Sequence, residues 1–261
     1  MKQYNSILVE KDGPIATIYL NRPEQLNAFS SRMIDEIEEA VTCMPDDPEI
    51  RAVIFTGKGK AFCAGVDLRD ASSIEKPIDS YRFLSRLQRM CNAVANLELP
   101  TIGAVNGLAL GGGFELSLAL DFLVASENAI FGVPEIKVGV LPGGGGMSRL
   151  PKKAGIPLAK RLVILGENLK AEEARSLGLI YRVVKNEEIM DEAKKLAQAL
   201  AEKPQVCVRF AKKVLEKSER MSVYDAMDYE AHAAALLNDT EDKKEGMQAF
   251  LEKRKPVFKG R

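Results

Sequence analysis

Apolar positions along the chain change period several times, and each period predicts its own element. Ile7–Val9 and Ile15–Leu20 are short β-favouring runs separated by Asp12-Gly13-Pro14, which predicts a hairpin. Met33, Ile34, Ile37, Ala40 and Val41 then recur at helical spacing; Ser30 or Ser31 can cap this helix, and Pro45 and Pro48 end it. Ala52–Thr56 reads as a buried strand. Leu84, Leu87, Cys91 and Val94 place a helix within Tyr81–Leu97. Thr101–Gly107 reads as a strand and turn, followed by a glycine run and a short apolar helix to Leu120. Phe122–Ala125 and Ala129–Phe131 predict two further strands.

Strand, strand and helix therefore alternate through the first two-thirds without sequence self-similarity, which favours an α/β layer architecture. Beyond about residue 185 the pattern turns helical: Glu187–Glu202, Val206–Lys217, Val223–Asn238 and Asp242–Lys253 all read as helices, with Pro204 between the first two. Met227, Ala231, Ala234, Ala235 and Leu236 form an apolar stripe that suits either the core or another subunit.

Composition narrows the function class. Hydrophobic residues make up 46% and charged residues 28% of the 261 positions, an ordinary globular mixture. Lys+Arg and Asp+Glu both total 37, so charge balance gives no reason to expect nucleic acid or an anionic membrane as partner. Cys43, Cys63, Cys91 and Cys207 lie too far apart for a CxxC zinc site, and no metal is expected. The start of the chain lacks a signal-peptide core, and Asp and Glu interrupt the richest apolar stretch, so a cytoplasmic location is expected.

Candidate chemistry centres on two acids. Glu115 follows Gly111, Gly112 and Gly113 at the start of a predicted helix, where close backbone approach and unpaired N–H groups suit a developing oxyanion. The structural alternative is a tight packing turn with a favourable first-turn acid. Glu135 sits in Phe131–Gly146, whose glycines lack the GxxxxGK[ST] pattern of a phosphate loop; GLALGGGFE likewise lacks GxGxxG spacing. His232 is the chain's one histidine and lies in an alanine-rich helical stretch, so it reads as a packing or surface residue. Cys63 reads as a small buried hydrophobe and Asp121 as a structural hydrogen-bonding group. Glutamate is left as the proton carrier.

Five segments occur in order between about Ile7 and Lys259: NRPEQLNAF, AFCAGVDL, AVNGLALGGGFELSLALD, FGVPEIKVGVLPGGGGMSRL and AFLEKRKPVFKG. Together they resemble the crotonase family of enoyl-CoA hydratases and isomerases. The resemblance implies an α/β, crotonase-like spiral of repeated ββα units over residues 1–195, and a helical C-terminal oligomerisation region over 196–261 that builds homotrimers or homohexamers. It also implies an oxyanion hole from the Val66 and Gly112 amides. Leu26, Ala64, Asp67 and Leu68 would line a coenzyme A groove, with Arg69 near the CoA phosphates. Phe258 and Lys259 match a terminal segment that can reach a CoA site, sometimes on a neighbouring subunit. Glu24 stands where some relatives carry lysine.

The same resemblance implies reversible hydration of a 2,3-unsaturated acyl-CoA by Glu115 and Glu135, since typical hydratases hold glutamate at both positions and many isomerases keep only the second. Coenzyme A belongs to the substrate, and no separate cofactor is expected. The alternatives are double-bond isomerisation, hydration of a cyclic enoyl- or dienoyl-CoA, and a non-catalytic RNA-binding role. The polar segment Ala71–Phe83 is expected to form part of the acyl-pocket wall.

Overall fold

In the computed structural model, which describes residues 2–261, strand pairs alternate with helices. β1 (Ile7–Asp12) and β2 (Ile15–Leu20) form the hairpin and lead into α1 (Ser31–Cys43). Next come β3 (Ala52–Gly57), β4 (Ala61–Cys63), α2 (Leu68–Ser72) and α3 (Pro77–Ala95). β5 (Thr101–Val105), β6 (Leu108–Leu110) and α4 (Gly112–Ser117) repeat the unit. β7 (Phe122–Ser126) and β8 (Ile130–Gly132) do so again, through a 3-10 turn at Pro134–Val138, into α5 (Gly146–Ala154) and α6 (Ile156–Ile164). β9 (Asn168–Lys170), α7 (Ala171–Ser176) and β10 (Arg182–Val184) precede the helices α8 (Ile189–Ala201), α9 (Gln205–Ser218), α10 (Val223–Leu236) and α11 (Glu241–Leu251).

The spiral lies in how the strands are shared between sheets. A six-stranded sheet has the order β1-β2-β3-β5-β7-β10, and a four-stranded sheet the order β4-β6-β8-β9. Pairing is parallel except at β1/β2 and β8/β9. β1 and β2 both lie in the large sheet, and the units that begin at β3, β5 and β7 each give their first strand to the large sheet and their second to the small one. The fold is the repeated β–α architecture with a C-terminal helical region that the resemblance implied.

Both faces of the large sheet are covered, which is why β3 is buried without interruption. Val53 and Phe55 point into the main core with Met33, Ile34, Leu87 and Phe114. Ala52 and Ile54 point the other way, onto Ile189, Ala193 and Ala197 of α8. α8 therefore runs through residue 195 while packed on the sheet. α8 ends at Ala201, and α9 begins at Gln205 after Pro204.

Elements of clear period form where expected. Ser30 Oγ accepts from the Met33 amide at 3.2 Å, so Ser30 rather than Ser31 caps α1. α3 starts at Pro77, four residues before the expected Tyr81, because proline suits the first helical position. α4 ends at Ser117, short of Leu120. The strands β4, β6, β9 and β10 have three residues each, too few to show a period.

Asp121 joins α9 to the sheet. Its Oδ2 accepts from the Thr101 amide at 2.8 Å, the Thr101 hydroxyl at 2.9 Å and Lys212 Nζ at 2.8 Å. The Lys212 side chain is only 10% exposed, so Asp121→Ala would leave a nearly buried ammonium unpaired. Urea unfolding of that variant is expected to show a loss of about 3–5 kcal/mol.

The apolar stripe of α10 does not face this core. Met227, Ala231, Ala234, Ala235 and Leu236 are exposed in the single chain, whereas Ala226 and Ala233 point inward. Among the described residues, no helix is long and apolar enough to cross a membrane.

Candidate active site

α4 carries Glu115 into the interior. The carboxylate is 1% exposed, a costly place for a charge unless donors meet it. Two do: Oε1 accepts from the Gly144 amide at 2.8 Å and the Gly146 amide at 2.7 Å. Burial pushes the carboxyl above its ordinary pKa, while the Gly146 and Gly144 amides and the Arg149 guanidinium pull it back. Those donors favour the charged form that burial opposes.

Glu135 stands on the 3-10 turn that Pro134 opens. Burial pushes its carboxyl up to about 7, opposed by its own backbone amide and raised further by the nearby Glu115. Oε2 is buried and, among the described residues, has no hydrogen-bond partner. Oε1 lies against Gly111, where an added Cβ would sit 2.9 Å away. Gly111 is also the residue whose carbonyl accepts the Glu115 amide, at 2.9 Å. Both acids therefore converge on the first turn of α4. Burial raises both carboxyls, but only the Glu115 carboxylate meets backbone donors while Glu135 Oε2 meets none among the described residues, so the two acids stand in different environments, as acid–base chemistry at a single site needs.

Backbone amides flank the same turn. The Phe29 amide donates to the Gly65 carbonyl at 2.7 Å, and the Asp67 amide to the Phe29 carbonyl at 3.0 Å, which sets the peptide planes on either side of Val66. Gly65 has φ +103, a backbone region that side-chain-bearing residues avoid, and a Cβ there would lie 3.5 Å from the Gly112 nitrogen. Val66 and Gly112 are thus neighbours, and among the described residues neither N–H has an acceptor. Such a pair can receive an oxyanion.

Around this centre lie five of the expected groove residues, Leu26, Ala64, Asp67, Leu68 and Arg69. The Ala64 amide donates to the Leu26 carbonyl at 3.0 Å, and Leu26 itself adopts a left-handed conformation at φ 51. Asp67 is committed to Arg22 at 3.0 Å and to the Arg69 amide at 3.1 Å. Leu68 is 65% exposed, and Arg69 is exposed beside it. Behind them the fully buried Asn27 donates to the Lys58 and Ala61 carbonyls and accepts from the Arg22 amide. Sequence reasoning gave Asn27 no role; it anchors this loop to β4.

Phe258 and Lys259 stand apart from that group within one chain. The Phe258 carbonyl accepts from Arg51 at 3.4 Å, and the Lys259 amide donates to Asp242 at 2.6 Å. Arg51 precedes β3, whereas Asn27 meets the far end of that strand at Gly57, about 20 Å away for six residues. Phe258 instead lines a cleft of about 700 Å³ with Arg51, Glu202 and Lys255, away from both glutamates.

The remaining candidates behave as ordinary side chains. Burial pushes the Cys63 thiol up to about 12, which makes it a poor nucleophile. His232 is exposed, with Nδ1 2.8 Å from the Asp228 carbonyl. Phe131 packs edge-on against Phe114 in the core, and Phe83 is also buried, whereas Leu84 is half-buried against Gly143 beside the glutamates.

Two acids and two amides without acceptors among the described residues therefore meet at one helix start of a ββα spiral. Residues 10–261 match the model of the enoyl-CoA hydratase/isomerase family. The chain is 40% identical to the crotonyl-CoA hydratase of Syntrophomonas wolfei over 256 residues, 98% of each chain. It is also 40% identical to the carnitinyl-CoA dehydratase of Salmonella enteritidis over 262 residues, covering 98% of this chain and 99% of that one. The crystal structure of an enoyl-CoA hydratase subunit I from Geobacillus kaustophilus superposes with a TM-score of 0.95 at 41% identity, over 100% of both chains. This chain belongs to the enoyl-CoA hydratase/isomerase family.

Proposed function

We propose that this protein catalyses reversible addition of water across the 2,3-double bond of an enoyl-CoA thioester. The observation that carries this reading is the convergence of Glu115 and Glu135 on the start of α4, beside the unpaired amides of Val66 and Gly112. Those amides take the thioester oxygen, which draws electron density from C3 and stabilises the enolate-like transition state. Glu115 removes a proton from water as its oxygen attacks C3. Glu135 gives its proton to C2. Return of a proton from Glu115 to Glu135 resets the pair.

Leu26, Ala64, Asp67, Leu68 and Arg69 form the CoA-binding edge in this reading, with Arg69 the group that meets phosphate. Phe258 and Lys259 reach a CoA site only on a neighbouring subunit. The exposed stripe of α10 supports a homotrimer or homohexamer. The matched carnitinyl-CoA dehydratase favours a related reading, removal of water from a hydroxyacyl-CoA, which uses the same groups in reverse. We place the enzyme in the cytoplasm.

Loss of the conjugated-thioester absorbance of crotonyl-CoA, with identification of 3-hydroxybutyryl-CoA, tests the reaction. A shifted double bond or no turnover would contradict it. The pH dependence has a definite sign. Hydration needs Glu135 protonated, and burial holds its carboxyl up to about 7, so kcat/KM is expected to fall as pH rises through about 7. A rate that instead climbs through that range would count against Glu135 as the acid.

A further inference from the structure

The acid–base site rests on a loop that one face of α3 holds from outside. Leu84, Leu87, Gln88 and Asn92 recur on α3 at helical spacing, and all four bear on Gly143–Gly145 or on the side chain that holds them. A Cβ on Gly143 would overlap Leu84, and one on Gly144 would come within 2.9 Å of Leu87. Gln88 Nε2 donates to the Gly143 carbonyl at 2.7 Å. Arg149 Nη1, from α5, donates to the Gly144 carbonyl at 3.3 Å, while its Nη2 donates to Asn92 Oδ1 at 2.6 Å. Gly145 has φ +119, and the space where a Cβ would stand is occupied by the Arg149 guanidinium.

The geometry of the peptide bond connects these contacts to Glu115. In a trans peptide the C=O and the next residue's N–H point in opposite directions across one rigid plane. The Gly143 carbonyl and the Gly144 amide are two ends of such a plane: Gln88 holds one end and Glu115 accepts from the other. The Gly144 carbonyl and Gly145 amide form the next plane, held by Arg149. Four consecutive glycines, Gly143 to Gly146, give this loop wide rotational freedom unless its planes are held.

We propose that Gln88 and Arg149 are positioning residues for Glu115: Gln88 binds the carbonyl end of the Gly143–Gly144 peptide and so aims the Gly144 amide at the carboxylate, and Arg149 braces the next peptide, which links that donor to the segment carrying the Gly146 amide. The inference rests on the reading of Glu115 as the base. Arg149 from α5 and the amides of Gly144 to Gly146 favour the charge on that carboxylate, Glu135 from the 3-10 turn opposes it, and the nearby Cys91 thiol of α3 is pushed up by burial and stays neutral. Releasing the loop weakens the favourable contacts, so the pH at which Glu115 gains its charge rises.

The test compares Gln88→Leu, Arg149→Met, Arg149→Lys and Glu115→Gln in crotonyl-CoA hydration. Gln88→Leu and Arg149→Met are each expected to lower kcat about three- to tenfold, the equivalent of one hydrogen bond. KM should stay within a factor of about two, because the lost contact acts on the chemical step rather than on binding. The acid limb of the kcat profile should move to higher pH in both, and Arg149→Lys should restore it. Gln88 lies on the surface, so Gln88→Leu carries the test should Arg149→Met fail to fold. Wild-type kcat and an unmoved acid limb in Gln88→Leu, alongside an inactive Glu115→Gln, would overturn the proposal. Full turnover in Glu115→Gln would instead overturn the base assignment beneath it.

Discussion

Replacing Glu115 or Glu135 by glutamine is expected to depress crotonyl-CoA hydration by at least about a hundredfold, the scale of a lost general acid or base. The exchange is nearly isosteric. In Glu115→Gln the amide oxygen can still accept from Gly144 and Gly146, so the loop keeps its partner while the site loses its base. Glu135→Gln carries a second signature. Burial holds the native carboxyl at about 7, well above its value in an unfolded chain, so the folded protein binds the extra proton between about pH 4.5 and 7. Native stability therefore declines as pH rises through that window, and glutamine removes the penalty. Urea midpoints should show Glu135→Gln more stable than the parent at pH 8 and level with it below about pH 4.5. Unchanged turnover in either variant would remove that residue from the mechanism.

Gly113→Ala is expected to be nearly as damaging, for a steric reason. α4 runs so close to the end of β4 that a Cβ on Gly113 would overlap the Cys63 carbonyl oxygen and lie 2.8 Å from the Cys63 Cβ. Those atoms belong to backbone and core, so α4 must move relative to the Cys63–Val66 segment. The two amides proposed for the oxyanion lie on opposite sides of that contact. A displacement of about 1 Å can cost on the order of a hundredfold in rate, and overpacking typically costs about 1–3 kcal/mol of stability. Crotonyl-CoA assays and urea unfolding should therefore both register the single added methyl. Native turnover would mean that the two segments need not keep their spacing.

How far the sequence could be read depended on where each piece of information lies. β2, β3, β5 and β7 carry apolar runs long enough to see, and α1 carries its own cap and stripe. β4 and β6 have only three residues each and are recognised by their partners in space, whereas β8, equally short, already showed as the strand expected at Ala129–Phe131. α8 read as a helix, but its place under the large sheet depends on which face of β3 it covers.

The site divides along the same line. Glu115 and Glu135 stand out because each is an acid beside a glycine-bearing turn. Their convergence on the first turn of α4 depends on the small-sheet strand pair β6/β8, which brings Gly111 and Gly132 together through a 2.8 Å hydrogen bond. Gln88, Asn92 and Arg149 gave no signal, because Gln88 and Arg149 hold peptide carbonyls and Asn92 holds Arg149, contacts that exist only in the folded chain. A polar i,i+4 pair on an otherwise apolar helix face was the available hint. Phe258 and Lys259 followed from the resemblance, and within one chain the tail carrying them is fastened by Asp242 and Glu245 at the other end of β3.

A crystal structure of the Glu115→Gln protein with crotonyl-CoA bound would bear most directly on the central claim. The thioester oxygen should lie about 2.7–3.1 Å from both the Val66 and Gly112 nitrogens, with C2 facing Glu135 and C3 facing residue 115. A thioester oxygen pointing away from those two amides, or an acyl group outside the space between the two carboxyl positions, would contradict the account.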